Sequence, residues 1–114
     1  MEVADLAGIR RIVLEGLAGR KVRVYLFGSW ARGVATRTSD VDVAVLPLEP
    51  LPAGLLSAVR EALEESAVPY TVDLVDLSQT DPAFRARVLE EGVLWADLSS
   101  AAGGVAGALI NGVE

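Results

Sequence analysis

Two aspartates one residue apart, Asp40 and Asp42, follow a Gly28-Ser29 pair after ten intervening residues. On a β-strand, positions i and i+2 project from the same face, so these two carboxylates would stand together. Like charges held that close repel, and protonation, exposure to water or a divalent cation between them relieves the repulsion. Gly28 permits the close backbone approach and unusual dihedrals of a phosphate-cradling turn. Ser29 offers a hydroxyl and an amide at a helix N-terminus, where the dipole favours an anion. Arg32, one turn further, can reach the same anion. Each half has an ordinary explanation when taken alone: alternating aspartates line solvated strand faces, and Gly-Ser begins many N-capped turns. Joined within Leu26 to Val45, they read as a place for a phosphate beside a metal.

Composition narrows the chemistry further. The sequence contains no histidine and no cysteine. Imidazole catalysis, thiolate zinc sites and disulfide frameworks are therefore excluded. Carboxylates, hydroxyls, Lys and Arg remain, and these suit hard, oxygen-bound cations such as Mg²⁺. The formal charge of −6 disfavours general binding to a nucleic acid backbone. The 114 residues are 52% hydrophobic, as expected of one folded domain too small to hold a second catalytic unit. With no basic, apolar leader and no stretch of the ~20 apolar residues that span a bilayer, the expected location is cytoplasmic and no membrane contact is expected.

The elements that must position these groups follow from periodicity. Val3, Leu6, Ile9, Ile12, Val13 and Leu17 recur at helical spacing, with Gly19 as a stop. Val22 to Phe27 alternates as a strand, and Gly28 to Gly33 forms a turn into a short helix. Val41, Val43 and Val45 mark a second strand carrying the aspartate pair, followed by a loop through Pro47, Pro50 and Pro52. A helix is predicted over 53–65 and a strand over 70–77. Asp81-Pro82 starts another helix with Phe84, Val88 and Leu89 inward and Gly92 as its end. Val93 to Trp95 is a short edge strand. This alternation predicts an α/β or α+β domain over 1–98, with Ser99 to Glu114 an Ala/Gly-rich tail or weak helix.

G28-S29, ten residues, then D40-V-D42-V resembles the signature of the DNA polymerase beta-like nucleotidyltransferases. The fuller string G-S-W-A-R-G-x-A-x-x-x-S-D-x-D is similar to the minimal nucleotidyltransferase branch, and the likeness runs from about Val22 to Trp95. The fold that this resemblance implies is a polymerase beta-like single domain, a mixed β-sheet of three to five strands with helices packed on it. It further implies that Gly28 and Ser29, with Arg32, hold the triphosphate of ATP while Asp40 and Asp42 bind two Mg²⁺ ions. A third carboxylate on a neighbouring strand matches Asp73 in T-V-D-L-V, with Asp76 as its competitor. Two metals about 3.5–4 Å apart serve the attacking and leaving oxygens of such a transfer, and Asp73 is the group to accept the proton.

Members of this branch resemble antitoxins that adenylylate a HEPN-domain toxin, which makes a toxin the expected partner and the source of the acceptor hydroxyl. A non-catalytic module inhibiting by contact is the alternative, and an antibiotic nucleotidyltransferase is disfavoured because such enzymes add a domain for their acceptor. Whether the protein forms homo- or hetero-oligomers is open at this point. Trp30 either stacks on a base or enters the core, and Arg37 reads as a solvated loop charge.

Overall fold

In the computed structural model, residues 6–36 and 38–100 are described. In chain order the elements are α1 (Ala7–Gly16), β1 (Val22–Phe27), α2 (Ser29–Arg32), β2 (Val41–Pro47), α3 (Leu55–Glu65), β3 (Val72–Asp76), a 3-10 turn (Leu77–Gln79), α4 (Pro82–Glu91) and β4 (Val93–Asp97). The strands form one mixed sheet in the order β3-β2-β1-β4. β1 runs antiparallel to β2 and to β4, whereas β2 and β3 are parallel and need α3 as their crossover.

Strand alternation divides the side chains between two unequal faces. Val22, Val24, Leu26, Val41, Val43, Val45 and Leu74 pack with Ile9, Val13 and Leu17 of the α1 region and with Val59 and Leu63 of α3. Burying each such aliphatic side chain stabilises the fold by roughly 1.5–3 kcal/mol, so this face supplies most of the core. The two helices approach closely because Gly16 has no side chain: a Cβ there would stand 2.7 Å from the Val59 Cγ2. The opposite face is smaller. Ala44, Leu77 and Val88 are buried there beneath Tyr25, Phe27, Leu46, Val75 and Phe84. Phe27 and Phe84 meet edge to face at 5.8 Å.

The ends of α4 follow their sequence signals. The Asp81 carboxylate accepts from the Phe84 amide at 2.9 Å, and Pro82 opens the helix. Gly92 closes it, its amide donating to the Val88 carbonyl at 2.8 Å. A Cβ on Gly92 would lie 2.6 Å from that carbonyl and 3.1 Å from the Leu26 carbonyl, so only glycine lets the chain turn straight into β4 beside β1.

Several expectations shift. β2 begins at Val41, which leaves Asp40 just ahead of the strand. The last paired residue of β1, Phe27, stands opposite Asp42, and the first of β3, Val72, opposite Val41, so Asp40 lies past both neighbours. Pro47 is the final residue of β2, not loop. α3 starts at Leu55, two residues late, because Gly54 takes a left-handed conformation (φ +84°) ahead of it. β3 spans 72–76, and Leu77 turns away into the 3-10 segment instead of extending the strand. Leu89, expected inward, is 40% exposed. α4 touches the sheet along the narrow stripe of Phe84 and Val88, and the next position around the helix faces out. The predicted helix start at Val3 and the tail beyond Ser100 lie outside the described residues.

Candidate active site

The turn after β1 is shaped by one glycine. Gly28 has φ 76° and ψ −153°, a region that side chains with a Cβ rarely enter. The Arg32 amide donates to the Gly28 carbonyl at 3.1 Å and the Val34 amide to the Ser29 carbonyl at 3.0 Å, folding G-S-W-A-R-G into a single turn. Gly33, at φ +75°, ends it. A Cβ on Gly28 would collide with Asp42 Oδ2. The carboxylate of Asp42 therefore rests against the backbone of the Gly-Ser turn, in space that any other residue at position 28 would fill.

Trp30 belongs to the core side of the turn. It packs edge to face on Tyr70 at 5.3 Å, and its indole nitrogen donates to the Ser39 carbonyl at 3.4 Å. The Thr36 amide donates to Ser39 Oγ at 2.9 Å and the Ser39 amide to the Thr36 carbonyl at 3.0 Å. These bonds fix the loop immediately ahead of Asp40.

Asp42 occupies the centre of the acidic end of the sheet. It stands opposite Phe27 in β1 and opposite Asp73 in β3, so the two aspartates share one face of neighbouring strands. Burial pushes the Asp42 carboxyl above the ordinary 3.8, with further upward push from Asp73 and then Asp40, against a smaller downward pull from Arg32. Asp40, Asp42, Asp73 and Arg32 thus act within one electrostatic field. Asp76 lies three positions beyond Asp73, which puts it on the other face of β3. It is already engaged: its Oδ1 accepts from the Ser78 amide at 2.9 Å and from the Ser78 hydroxyl at 2.6 Å, capping the 3-10 turn.

Among the described residues no three acidic side chains converge into a ready set of metal ligands. The donor chemistry still fits a hard divalent cation: Asp42 is costly as an anion where it stands, and a cation between it and its acidic neighbours would offset that cost. Arg37, read as a solvated charge, lies outside the described residues.

Beside this acidic end is a cavity of about 220 Å³, lined by Phe27, Gly28, Arg32, Phe84, Arg87, Val88 and Glu91. Its α4 wall was missed from the sequence. The signal was present in the spacing of Phe84, Arg87, Val88 and Glu91, which places two charges on the same helix face as two core residues. A roomier hollow of about 690 Å³ follows the proline-rich loop after β2, and of the candidate residues it includes only the engaged Asp76.

Residues 20–99 match the family model described as polymerase beta, nucleotidyltransferase. The protein adenylyltransferase MntA of Shewanella oneidensis is 37% identical over 73 residues, which is 63% of this chain and 52% of that protein. The chain spans about half the length of the curated relatives it matches. A solved structure of a minimal nucleotidyltransferase superposes with a TM-score of 0.66 at 34% identity, covering 82% of this chain and 95% of the other. A complex of the tri-AMPylated Shewanella oneidensis HEPN toxin with its MNT antitoxin matches with a TM-score of 0.62 at 25% identity, covering 85% of this chain and 73% of that one. The Gly-Ser turn, the aspartates beside it and the mixed sheet that holds them stand within the matched span, and the chain belongs to the polymerase beta nucleotidyltransferase family.

Proposed function

We propose that this protein transfers AMP from ATP to a hydroxyl of a partner protein, and that the partner is a HEPN-domain toxin which the transfer neutralises. The observation that carries this reading is the packing of Asp42 against Gly28, which joins a phosphate-sized turn to an acidic strand end. Two matches, both from Shewanella oneidensis, support it by name: a protein adenylyltransferase, and an MNT antitoxin in complex with an AMPylated HEPN toxin. A cytoplasmic setting, where ATP is abundant, goes with the reaction.

In this mechanism Gly28 and Ser29 present backbone amides and a hydroxyl to the phosphates, and Arg32 adds a guanidinium fork. Asp40, Asp42 and Asp73 would hold Mg²⁺. When bound, Mg²⁺ neutralises charge on the phosphates and lowers the pKa of a coordinated hydroxyl. Asp73, exposed at the open side of Asp42, accepts the proton of the incoming hydroxyl as its oxygen attacks the α-phosphorus. The bond to the pyrophosphate oxygen then breaks in line, and pyrophosphate departs past Ser29 and Arg32. The acceptor comes from the partner, because the acidic end of the sheet is an open shelf with Asp40 and Asp73 both exposed.

The second reading is inhibition by contact alone, in which the same chain binds its partner without transferring AMP. Toxin neutralisation measured with and without ATP and Mg²⁺ separates the two. Transfer predicts neutralisation that needs both and that is lost in Asp42→Asn while the complex still forms. Full neutralisation without nucleotide, equal in Asp42→Asn, would overturn it.

A further inference from the structure

We propose that Arg87 is a second anion-binding group of this site, gripping the β- and γ-phosphates of the nucleotide from the α4 wall, across the cavity from Arg32; the inference rests on the nucleotidyl-transfer reading. The cavity of about 220 Å³ is bounded by Gly28 and Arg32 on the turn side and by Arg87 and Glu91 on the helix side. Phe27 and Phe84, in edge-to-face contact, line it between them. The buried Val88 fixes the rotation of α4, and Arg87 precedes it directly, so the guanidinium is carried at the cavity by a packed helix rather than by a loop.

Three other arginines of this chain are committed to the fold. Arg10 donates to the Trp95 carbonyl at 2.9 Å, Arg60 to the Leu74 carbonyl at 2.9 Å, and Arg23 pairs with Asp97 at 3.3 Å. Among the described residues Arg87 has no such partner, not even Glu91 one turn on. An arginine placed N-terminal to a glutamate at this spacing is the weaker orientation for a helical ion pair. Its fork is therefore available, and a fork of N–H donors matches phosphate oxygens geometrically.

The charge balance gives the guanidinium a purpose. A chain of formal charge −6, with three carboxylates at one end of the sheet, repels a polyanionic triphosphate. Arg32 and Arg87 against Glu91 alone leave the cavity walls net positive. The phosphates furthest from the reacting phosphorus are the ones this pocket would hold, and their charge grows as pyrophosphate leaves.

The test is nucleotide binding to the full chain in Mg²⁺, comparing ATP with AMP. Arg87→Ala is expected to weaken ATP binding by about 10-fold or more, the loss typical of a charge-assisted hydrogen bond, while AMP binding is unchanged. Arg87→Lys, which keeps the charge without the fork, should fall between. Arg11→Ala, an equal charge change on the exposed side of α1, should leave both unchanged. If Arg87→Ala lowers the melting temperature, Arg87→Gln decides by the same criteria. Wild-type binding of ATP with Arg87→Ala unaffected, or with ATP and AMP weakened alike, overturns the role of Arg87 and leaves the transfer reading standing. A wild-type protein that binds no nucleotide overturns both.

Discussion

Asp42 is held where an anion is uncomfortable, and Gly28 is what lets it sit there. Replacing Gly28 with alanine puts a Cβ into space that Asp42 Oδ2 occupies and forces a Cβ-bearing residue to φ +76°. The expected cost is about 1–3 kcal/mol of stability, with nucleotidyl transfer reduced by about 100-fold or more because a displaced carboxylate misplaces whatever it holds. Chemical denaturation and a transfer assay on Gly28→Ala check the two parts separately. The raised Asp42 pKa has its own consequence. Above the ordinary 3.8 the unfolded chain releases this proton before the folded one does, so stability falls as pH rises through the window up to the raised folded value, and stays lower above it. Asp42→Asn should therefore melt higher than wild type at pH 7 without divalent metal, and the advantage should vanish below pH 3.8. Equal melting temperatures at pH 7 would show that the strained carboxylate is not there. At this scale the sequence was informative: the types and spacing of Gly28, Ser29, Asp40 and Asp42 were readable, because they are local. The sequence leaves Asp73 and Asp76 as competitors, and the hydrogen bonds that occupy Asp76 are a property of the turn after β3 that spacing does not contain.

Helix α4 best illustrates what an element inherits from its sequence and what it does not. Its ends were legible, since Asp81, Pro82 and Gly92 act through bonds to residues three or four positions away. Its rotation was not. Leu89 and Val88 are equally apolar, and only the narrow contact with the sheet decides that Val88 is buried and Leu89 exposed. Asp81→Ala should cost about 1 kcal/mol through the lost cap. Val88→Ala should cost about 2 kcal/mol or more through the cavity it leaves. Leu89→Gln should stay within about 0.5 kcal/mol of wild type. Denaturant midpoints for the three variants test that order, and a Leu89→Gln as costly as Val88→Ala would place α4 in a different rotation. The phase of α4 matters beyond stability, because the same rotation carries Arg87 to the cavity beside Gly28.

At the scale of the whole molecule, the unequal faces of the sheet explain why the site is where it is. Two helices cover one face fully, while the other has α4 alone and leaves the acidic ends of β2 and β3 open. The periodicity of the sequence contained the helices and strands, and the motif carried the family. Neither contains the strand order β3-β2-β1-β4, because pairing across the sheet depends on contacts far apart in sequence. That order places Asp73 opposite Asp42 and sends β4 to the far edge. An open acidic shelf suits the acceptor we propose, a hydroxyl presented by another protein. Incubation with Mg²⁺, a HEPN-domain toxin and ATP labelled in turn at the α- and γ-phosphorus tests it most directly. The α-label is expected to become bound to the toxin and the γ-label to leave as pyrophosphate, and Asp42→Asn is expected to abolish both. Toxin carrying the γ-label, or α-label transfer undiminished in Asp42→Asn, would contradict it.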